Sequence, residues 1–260
     1  MNEGRRNFLK VAGASAVGAA WGIPVVSALA KAIKSEPLPG NLAGKRWALA
    51  VDINKCRRPE VRRACSDACR RLHNIPEIER PHSEIEWIWS EGFENAFPNQ
   101  ANEHSRTSLK ESDVLVMCNH CDRPPCVRVC PTQATFRRAD GIVMMDEHRC
   151  IGCRYCIAAC PYGARSFNWE DPAPHIKQLN PDYPHRTRGV VEKCTLCAER
   201  LSEGLGPACV EAANRVAGPG AMIFGDLGDP NSAISLALRE KTTIRRKPSL
   251  GTSPSVFYIV

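Results

Sequence analysis

The sequence predicts an α+β fold made of two pseudo-symmetric halves, and three observations support this prediction. The chain of 260 residues contains 14 cysteines, most of them in short clusters. Each cluster follows a short apolar segment with the composition of a β-strand. The unit of strand, cysteine cluster and helical turn recurs along the chain, which indicates an internal duplication. The predicted strands are Trp47–Ile53, Val114–Met117, Ile142–Met145 and Gly189–Val191.

The composition excludes several classes of protein. Apolar residues make up 43% of the chain and charged residues 24%, which excludes a disordered protein. The mean hydropathy is −0.30. Only the N-terminal apolar run approaches the ~18 residues needed to cross a bilayer, so a polytopic membrane protein is excluded. The net charge of +7 comes from scattered basic residues, and no nucleic-acid partner is expected.

The first thirty residues have the pattern of an export signal. Arg5 and Arg6 form a twin-arginine pattern ahead of a mildly apolar run. The run ends in Ala28–Ala30, a small-residue cleavage site. We therefore expect residues 1–30 to direct twin-arginine export to the periplasm, with cleavage or retention as an anchor left open. A buried helix is the alternative, and Pro24 disfavours it.

The rest of the chain divides by composition and cysteine content. Pro and Gly residues mark 31–45 as a linker. The other predicted segments are 46–114, the first segment of half 1 with an insertion; 115–188, half 2; 189–240, the second segment of half 1; and 241–260, a C-terminal tail.

Two local elements are predicted from turn and capping residues. A short loop containing Asp140 and Gly141 joins two strands into a hairpin between Thr135 and Met145. Ser232–Lys241 is predicted as a helix with Asn231 as its cap.

Two apolar stretches lie outside the repeats. Residues 76–112 form an insertion that contains the apolar stretch Ile85–Trp89 and no cysteine. The tail ends in the apolar segment Val256–Val260. Because a small domain has little reason to expose such a segment, we expect it to pack on a partner protein.

Two cysteine groups are complete. Their spacings are Cys-x2-Cys-x4-Cys-x3-Cys-Pro from position 118 and Cys-x2-Cys-x2-Cys-x3-Cys-Pro from position 150. The second is the bacterial ferredoxin run, in which the first three cysteines bind one cubane and the fourth binds its neighbour. This exchange predicts two [4Fe–4S] clusters in bacterial-ferredoxin-like halves. One has the ligands Cys118, Cys121, Cys126 and Cys160, and the other has Cys150, Cys153, Cys156 and Cys130.

Zinc and haem are the alternatives for cysteine-rich sequences. Structural zinc sites use Cys-x2-Cys pairs separated by longer stretches, which these runs do not resemble. The sequence contains no Cys-x2-Cys-His, so covalent c-type haem is excluded.

Two further cysteine groups are incomplete. Cys194, Cys197 and Cys209 lack a fourth member, because Ala213 stands at the expected position. Cys69 follows another cysteine at the spacing of a donated ligand, so the exchange rule assigns it to this third cluster.

The same rule leaves a fourth site with only Cys56 and Cys65. Two thiols do not hold a cubane, so we expect three [4Fe–4S] clusters, and a fourth would need ligands other than cysteine, such as a histidine. The two spare thiols are expected to form a disulfide in an oxidising compartment, with free buried thiols as the alternative.

Three segments carry a resemblance to a known family. NHCDRPPC at 119–126, CPYGAR at 160–165 and EKCTLC at 192–197 resemble the exported iron–sulfur subunits of the dimethyl-sulfoxide-reductase and formate-dehydrogenase class. The likeness covers roughly residues 47–231. The altered Cys56 group, the HNIP segment at 73–76 and the export signal resemble the branch found in the sulfite-reductase-associated Dsr membrane complex.

The resemblance implies an electron-transfer protein without a catalytic site of its own. The implied partners are a polytopic quinone-interacting membrane subunit, a multihaem cytochrome c and other Dsr subunits. The alternatives are an iron–sulfur wire for an exported molybdopterin oxidoreductase and a zinc-stapled interaction protein.

The histidines and aromatic residues are expected to have supporting roles. His120 lies inside a cluster loop and is expected to donate to a sulfide or pack beside it. The other histidines are expected at the surface or at helix caps; they are His73, His82, His104, His148, His175 and His185. Burial around the clusters is expected for Tyr155, Tyr162, Phe167 and Trp169.

Overall fold

The computed structural model describes residues 45–102 and 107–260. The predicted export signal, nearly all of the linker and His104 lie outside the described residues. Contacts along the chain group residues 44–260 into one compact unit.

Helices and strands are mixed along this unit. The strands are β1 (Trp47–Asp52), β2 (Ile88–Gly92), β3 (Asp113–Met117), β4 (Thr135–Arg137), β5 (Val143–Met145), β6 (Ser166–Phe167), β7 (Val191–Glu192), β8 (Met222–Asp226), β9 (Thr243–Ile244) and β10 (Val256–Ile259). The helices are α1 (Ile53–Cys56), α2 (Pro59–His73), α3 (Phe93–Ala96), α4 (Thr107–Lys110), α5 (Pro125–Arg128), α6 (Tyr155–Ala158), α7 (Ala198–Ser202), α8 (Ala208–Ala217) and α9 (Ala233–Glu240).

A four-stranded sheet of order β8-β1-β10-β9 forms the main layer. Strand β1 pairs antiparallel with β8 and parallel with β10, and Val51 lies opposite Tyr258 in the parallel pair. The alternating residues of β1 face two cores. Leu49 and Val51 join the main core, whereas Ala48 and Ala50 contact the core around Ile234 of α9.

The pairing of β10 corrects the prediction that the tail packs on a partner protein. Val256 and Tyr258 are fully buried in the main core of this chain, and the Tyr258 ring packs edge-on against Phe97 at 4.9 Å. The apolar pattern of the tail correctly predicts a strand. Its pairing partner β1 lies about 200 positions earlier, and a local sequence pattern does not show which distant strand a segment pairs with.

Two long helices pack against each other beside this core. Helix α2 begins at Pro59 and ends at Asn74, which adopts the left-handed conformation (φ 52°, ψ 44°) and donates its N–H to the Arg70 carbonyl. Helix α8 follows Pro207 and ends at Gly218. The pairing of these helices brings together cysteines from distant parts of the chain.

The remaining sheets are two-stranded. The predicted hairpin is confirmed, because β4 pairs antiparallel with β5 and Gly141 has a φ of +86° in the turn. The insertion contributes β2, which pairs antiparallel with β3. The predicted helix near the C-terminus is also present, but its cap is Ser232, whose hydroxyl accepts from the Ser235 N–H, and not Asn231.

No helix among residues 45–102 and 107–260 is long and apolar enough to cross a bilayer.

The burial of the tail predicts that Tyr258→Ala lowers the free energy of unfolding by about 3 kcal/mol or more, because a large aromatic side chain leaves the core. Chemical denaturation of the purified protein measures this loss. Tyr258→Phe is the matched control and should be near neutral, because the buried hydroxyl has no hydrogen-bond partner among the described residues. Equal stability of the alanine variant and the wild type would contradict a core role.

Candidate metal centres

The structure brings Cys118, Cys121, Cys126 and Cys160 together, and we call them the first thiol set. All four line one cavity. Burial raises the pKa of Cys121 to about 12, and the charges of the other three thiols contribute to the rise. The four sulfur atoms therefore lie close together, although Cys160 comes from the other cysteine run.

Short elements position this first thiol set. Strand β3 ends immediately before Cys118, and α5 carries Cys126 in its first turn after Pro124 and Pro125. The loop between them needs a positive φ of 42° at His120, which tightens it around the cavity.

We call Cys130, Cys150, Cys153 and Cys156, which the sequence predicts as the ligands of one cluster, the second thiol set. Three of them, Cys130, Cys150 and Cys156, pack in one apolar cluster. Burial raises the pKa of Cys156, with further rises from Cys126 and Cys150. Cys153 is exposed on the loop between Cys150 and Cys156.

The environment of Cys130 favours its thiolate form. Burial acts to raise its pKa, but hydrogen bonds donated by the Thr135 backbone and by Thr132 outweigh burial and lower it. The Thr135 N–H lies 3.4 Å from the Cys130 sulfur. Donors of this kind are typical of a sulfur that carries negative charge or binds a metal.

A close backbone contact shapes the loop of the second thiol set. Gly152 has a φ of +69°, and a Cβ atom at this position would lie 2.5 Å from the carbonyl oxygen of Gly189. Only glycine fits this approach.

Cys69, Cys194, Cys197 and Cys209 form the third thiol set. Cys69 lies in α2 and Cys209 near the start of α8, two helices that pack together. Burial raises the pKa of Cys209 well above its usual range, and the charges of Cys197, Cys194 and Cys69 add to the rise. Cys69 thus joins cysteines that lie at least 125 positions further along the chain.

The first set is adjacent to both of the others. Cys126 packs in one apolar cluster with Cys156 of the second set. Lys193 Nζ donates both to the carbonyl of Val143, which lines the cavity of the first set, and to that of Cys194 in the third.

Burial is the main cause of the raised pKa of Cys156 in the second set. Arg165 opposes this rise, and the charge of Cys126 in the first set adds to it. On the other side, burial raises the pKa of Cys194 in the third set to about 11, Lys193 opposes the rise, and the charge of Cys118 in the first set adds to it.

Cys56 and Cys65 belong to none of the three sets and lie in the apolar main core, where Cys65 adjoins the third set. Both are buried free thiols in this structure, and the disulfide between them stays a prediction. Each sulfur contacts a different backbone carbonyl. Cys56 Sγ donates to Ala221 at 3.2 Å, and Cys65 Sγ lies 3.4 Å from the carbonyl of Cys209. Burial raises the pKa of both thiols to about 12.

The position of the missing fourth ligand is closed. Ala213 is fully buried in the main core. The neighbouring Asn214 side chain accepts from the N–H groups of Ala221 and Met222 and donates to the Met222 carbonyl at 2.9 Å. This amide therefore holds the loop after α8 in place.

Two histidines, His120 and His73, are buried near the thiol sets. His120 accepts a hydrogen bond from the Val143 N–H at its Nδ1, and burial lowers its pKa, with further lowering from Lys193 and Arg165, so it is neutral. His73 corrects the prediction of a surface or capping residue. It is fully buried, and its Nε2 lies 2.7 Å from the Glu199 carboxylate beside Cys197.

Two aromatic predictions are wrong. Tyr155 and Trp169 are 63% and 46% exposed, and Arg154 stacks over the Trp169 ring. The predicted burial holds for Tyr162, which lines the cavity of the first thiol set, and Phe167 packs against the apolar cluster of the second set.

Three side chains beside the thiol sets were not predicted from the sequence. They are Arg165, Lys193 and Glu199. Arg165 and Lys193 lie within the segments that carry the family resemblance, and this was the only sequence feature that could have pointed to them. The spacing of the cysteines assigns no role to a basic residue.

Cysteines that gather from separate runs, with N–H donors aimed at sulfur, fit [4Fe–4S] clusters and define the class of ferredoxin-type iron–sulfur proteins. Residues 114–175 match the 4Fe-4S dicluster domain. The chain is 42% identical to the Hdr-like menaquinol oxidoreductase iron-sulfur subunit 1 of Archaeoglobus fulgidus, over 98% of this chain and 97% of the relative.

Two other relatives have similar coverage. The chain is 37% identical to a putative iron-sulfur subunit of the dimethyl sulfoxide reductase of Halobacterium salinarum, over 82% of this chain and 78% of the relative. It is 36% identical to a subunit of the tetrathionate reductase of Salmonella typhimurium, over 100% of this chain and 89% of the relative. The chain belongs to the family of [4Fe–4S] iron–sulfur subunits of oxidoreductase complexes.

The close approach at Gly152 predicts that Gly152→Ala destabilises the loop of the second thiol set. An alanine at position 152 would have an unfavourable positive φ, and its Cβ would collide with the Gly189 carbonyl. We therefore expect the free energy of unfolding to fall by more than the roughly 1 kcal/mol that the positive φ alone costs. Gly163→Ala is the matched control, because Gly163 has a φ of +67° and open space around its Cα. Thermal unfolding of both variants tests this, and equal losses would contradict the steric argument.

Proposed function

We propose that this chain relays electrons through a row of three [4Fe–4S] clusters, one for each thiol set. A cubane held by four thiolates accepts and returns one electron at a time, and the protein supplies its ligands, burial and hydrogen bonds. The single observation that carries the proposal is the adjacency of the first set to both of the others. Cys126 and Cys156 of neighbouring sets share one apolar cluster, and the Lys193 side chain alone spans from the cavity of the first set to Cys194 of the third, so electrons need to cross only short gaps.

The same geometry supports three clusters and not four. The region of Cys56 and Cys65 is filled by apolar side chains, and Asn214 holds the loop that would have supplied another ligand. Two thiols with no cysteine at position 213 do not complete a cubane.

Within the family, we infer that the chain belongs to the branch of DsrO, the periplasmic iron–sulfur subunit of the Dsr complex, in dissimilatory sulfur metabolism. The HNIP segment at 73–76 and the export signal at 1–30 support this branch. Its partners are then a quinone-interacting polytopic membrane subunit, a multihaem cytochrome c and other Dsr subunits. The relative from a menaquinol oxidoreductase supports the quinone-linked partner.

A second candidate function is the iron–sulfur wire of an exported molybdopterin oxidoreductase. The relative named as part of a dimethyl sulfoxide reductase favours it. Both functions use the same cluster row and differ in the partner at its end.

Co-purification distinguishes the two functions. A tagged chain isolated with its complex from native membranes should carry c-type haem and no stoichiometric molybdenum, measured by pyridine haemochrome spectra and by metal analysis. Stoichiometric molybdenum without haem would replace the first proposal with the second.

The cluster count predicts about twelve irons in each fully loaded chain. Cys69→Ser should remove about four of them, because Cys69 completes the third thiol set from a distant helix. Cys65→Ser is the matched control, one helical turn away in α2, and should keep all the iron. About sixteen irons in the wild type, or an equal loss in both variants, would contradict the assignment.

A further inference from the structure

Four basic side chains lie almost completely inside the protein, and two of them have ordinary carboxylate partners. Burying a charge is costly unless an opposite charge or several hydrogen bonds compensate it. Arg186 forms an ion pair with the buried Glu192 at 2.9 Å. Arg246 forms an ion pair with Glu91 at 2.7 Å.

The third basic side chain, Lys193, has no such partner. It is 1% exposed, and its Nζ donates only to the backbone carbonyls of Val143 and Cys194. Within residues 45–102 and 107–260 it forms no ion pair with a carboxylate. The adjacent Glu192 is already engaged by Arg186, and its oxygens also accept from Trp87 and Asn168.

The fourth basic side chain, Arg165, is in the same situation. It is 6% exposed, and its Nη1 contacts the Thr135 hydroxyl at 3.1 Å and the Met145 sulfur at 3.8 Å. Its Nη2 has no hydrogen-bond partner among the described residues. Here too, the part of the chain that the structure describes supplies no carboxylate to pair with the guanidinium.

Both uncompensated cations lie at junctions between thiol sets. Arg165 lines the cavity of the first thiol set, and its Nη1 contacts Met145, which packs in the apolar cluster of the second set, so Arg165 lies between the two sets. Lys193 Nζ donates both to the carbonyl of Cys194 in the third set and to that of Val143, which lines the cavity of the first set. Each junction between neighbouring sets therefore contains one buried positive charge.

We propose that Lys193 and Arg165 are the countercharges of the cluster row and raise the reduction potentials of the clusters they separate. This inference rests on the proposed function, because the negative charge they compensate is that of the clusters. A cubane with four thiolates is negatively charged, and its reduction adds one electron. A fixed buried cation nearby stabilises the reduced form more than the oxidised form, since water screens little in this interior.

The arrangement also gives each cation a specific position along the electron path. Lys193 acts on the clusters of the first and third sets, and Arg165 acts on those of the first and second sets. Both cations act on the central cluster, so removing either charge is expected to lower the reduction potential of that cluster. Each outer cluster lies beside one cation and should respond only to the loss of that charge.

The test is a redox titration of the purified, cluster-loaded full chain, monitored by electron paramagnetic resonance. Lys193→Met removes the charge at similar length and should lower the equilibrium constant for reduction of a flanking cluster at least tenfold, which is about 59 mV for one electron. Lys193→Arg keeps the charge and should stay near the wild-type potentials. Arg165→Met should shift the clusters of the first and second sets instead.

Lys241→Met controls for the loss of a positive charge at an exposed site and should leave all potentials unchanged. Full iron content with unchanged potentials in both methionine variants would overturn the proposal. If Lys193→Met loses iron, retention of iron by Lys193→Arg would support a requirement for a positive charge at this position. Equal loss of iron in both variants would overturn the proposal. A wild-type protein without three cluster signals would instead refute the proposed function, so the two failures are distinguishable.

Discussion

Each thiol set takes one cysteine from a segment remote from the other three, and the rest of the structure is arranged around this requirement. Cys160 joins the first set, Cys130 the second and Cys69 the third, the last from a helix more than a hundred positions away. Bringing distant segments together costs conformational entropy, and closing a long loop costs only slightly more than closing a short one. The packing of α2 on α8 and the sheet formed by β1, β8 and β10 offset that cost by burying apolar surface.

Charge is the second constraint on this interior. Clustered thiols raise each other's pKa when buried, so metal binding must release their protons and leave negative charge behind. The protein meets that charge in two ways. Backbone N–H groups point at sulfur, as Thr135 does toward Cys130 and Leu196 toward Cys194 at 3.3 Å. Lys193 and Arg165, which have no carboxylate partner within the described part of the chain, lie between thiol sets, whereas the buried Arg186 and Arg246 are paired with Glu192 and Glu91.

Features set by local stereochemistry could be predicted from the sequence, and features set by distant contacts could not. The hairpin of β4 and β5 follows from its turn residues, and the grouping of thiols follows from the spacing of the cysteine runs. The packing of the tail could not be predicted, because β10 pairs in parallel with a strand near the other end of the chain. The burial of His73 could not be predicted from local pattern, because its partner Glu199 lies 126 positions further along the chain. Both Ser232 and Asn231 are good capping residues, so the sequence alone does not separate them.

The second and third thiol sets have different surroundings, and under the proposed function this difference bears on how the chain meets its redox partners. At the second thiol set, Cys153 is exposed and is flanked by the exposed side chains of Ile151 and Tyr155. At the third set, Cys69 and Cys197 are buried, and beyond them the buried Cys65 and Ala213 fill the interior. A redox partner that docks over the loop of the second set meets a cluster ligand directly at the surface. At the opposite end, Cys65 and Ala213 fill the core beside the third set, but Cys194 and Cys209 are only partly buried, so a partner that reaches this end meets partly exposed ligands and no fully exposed one.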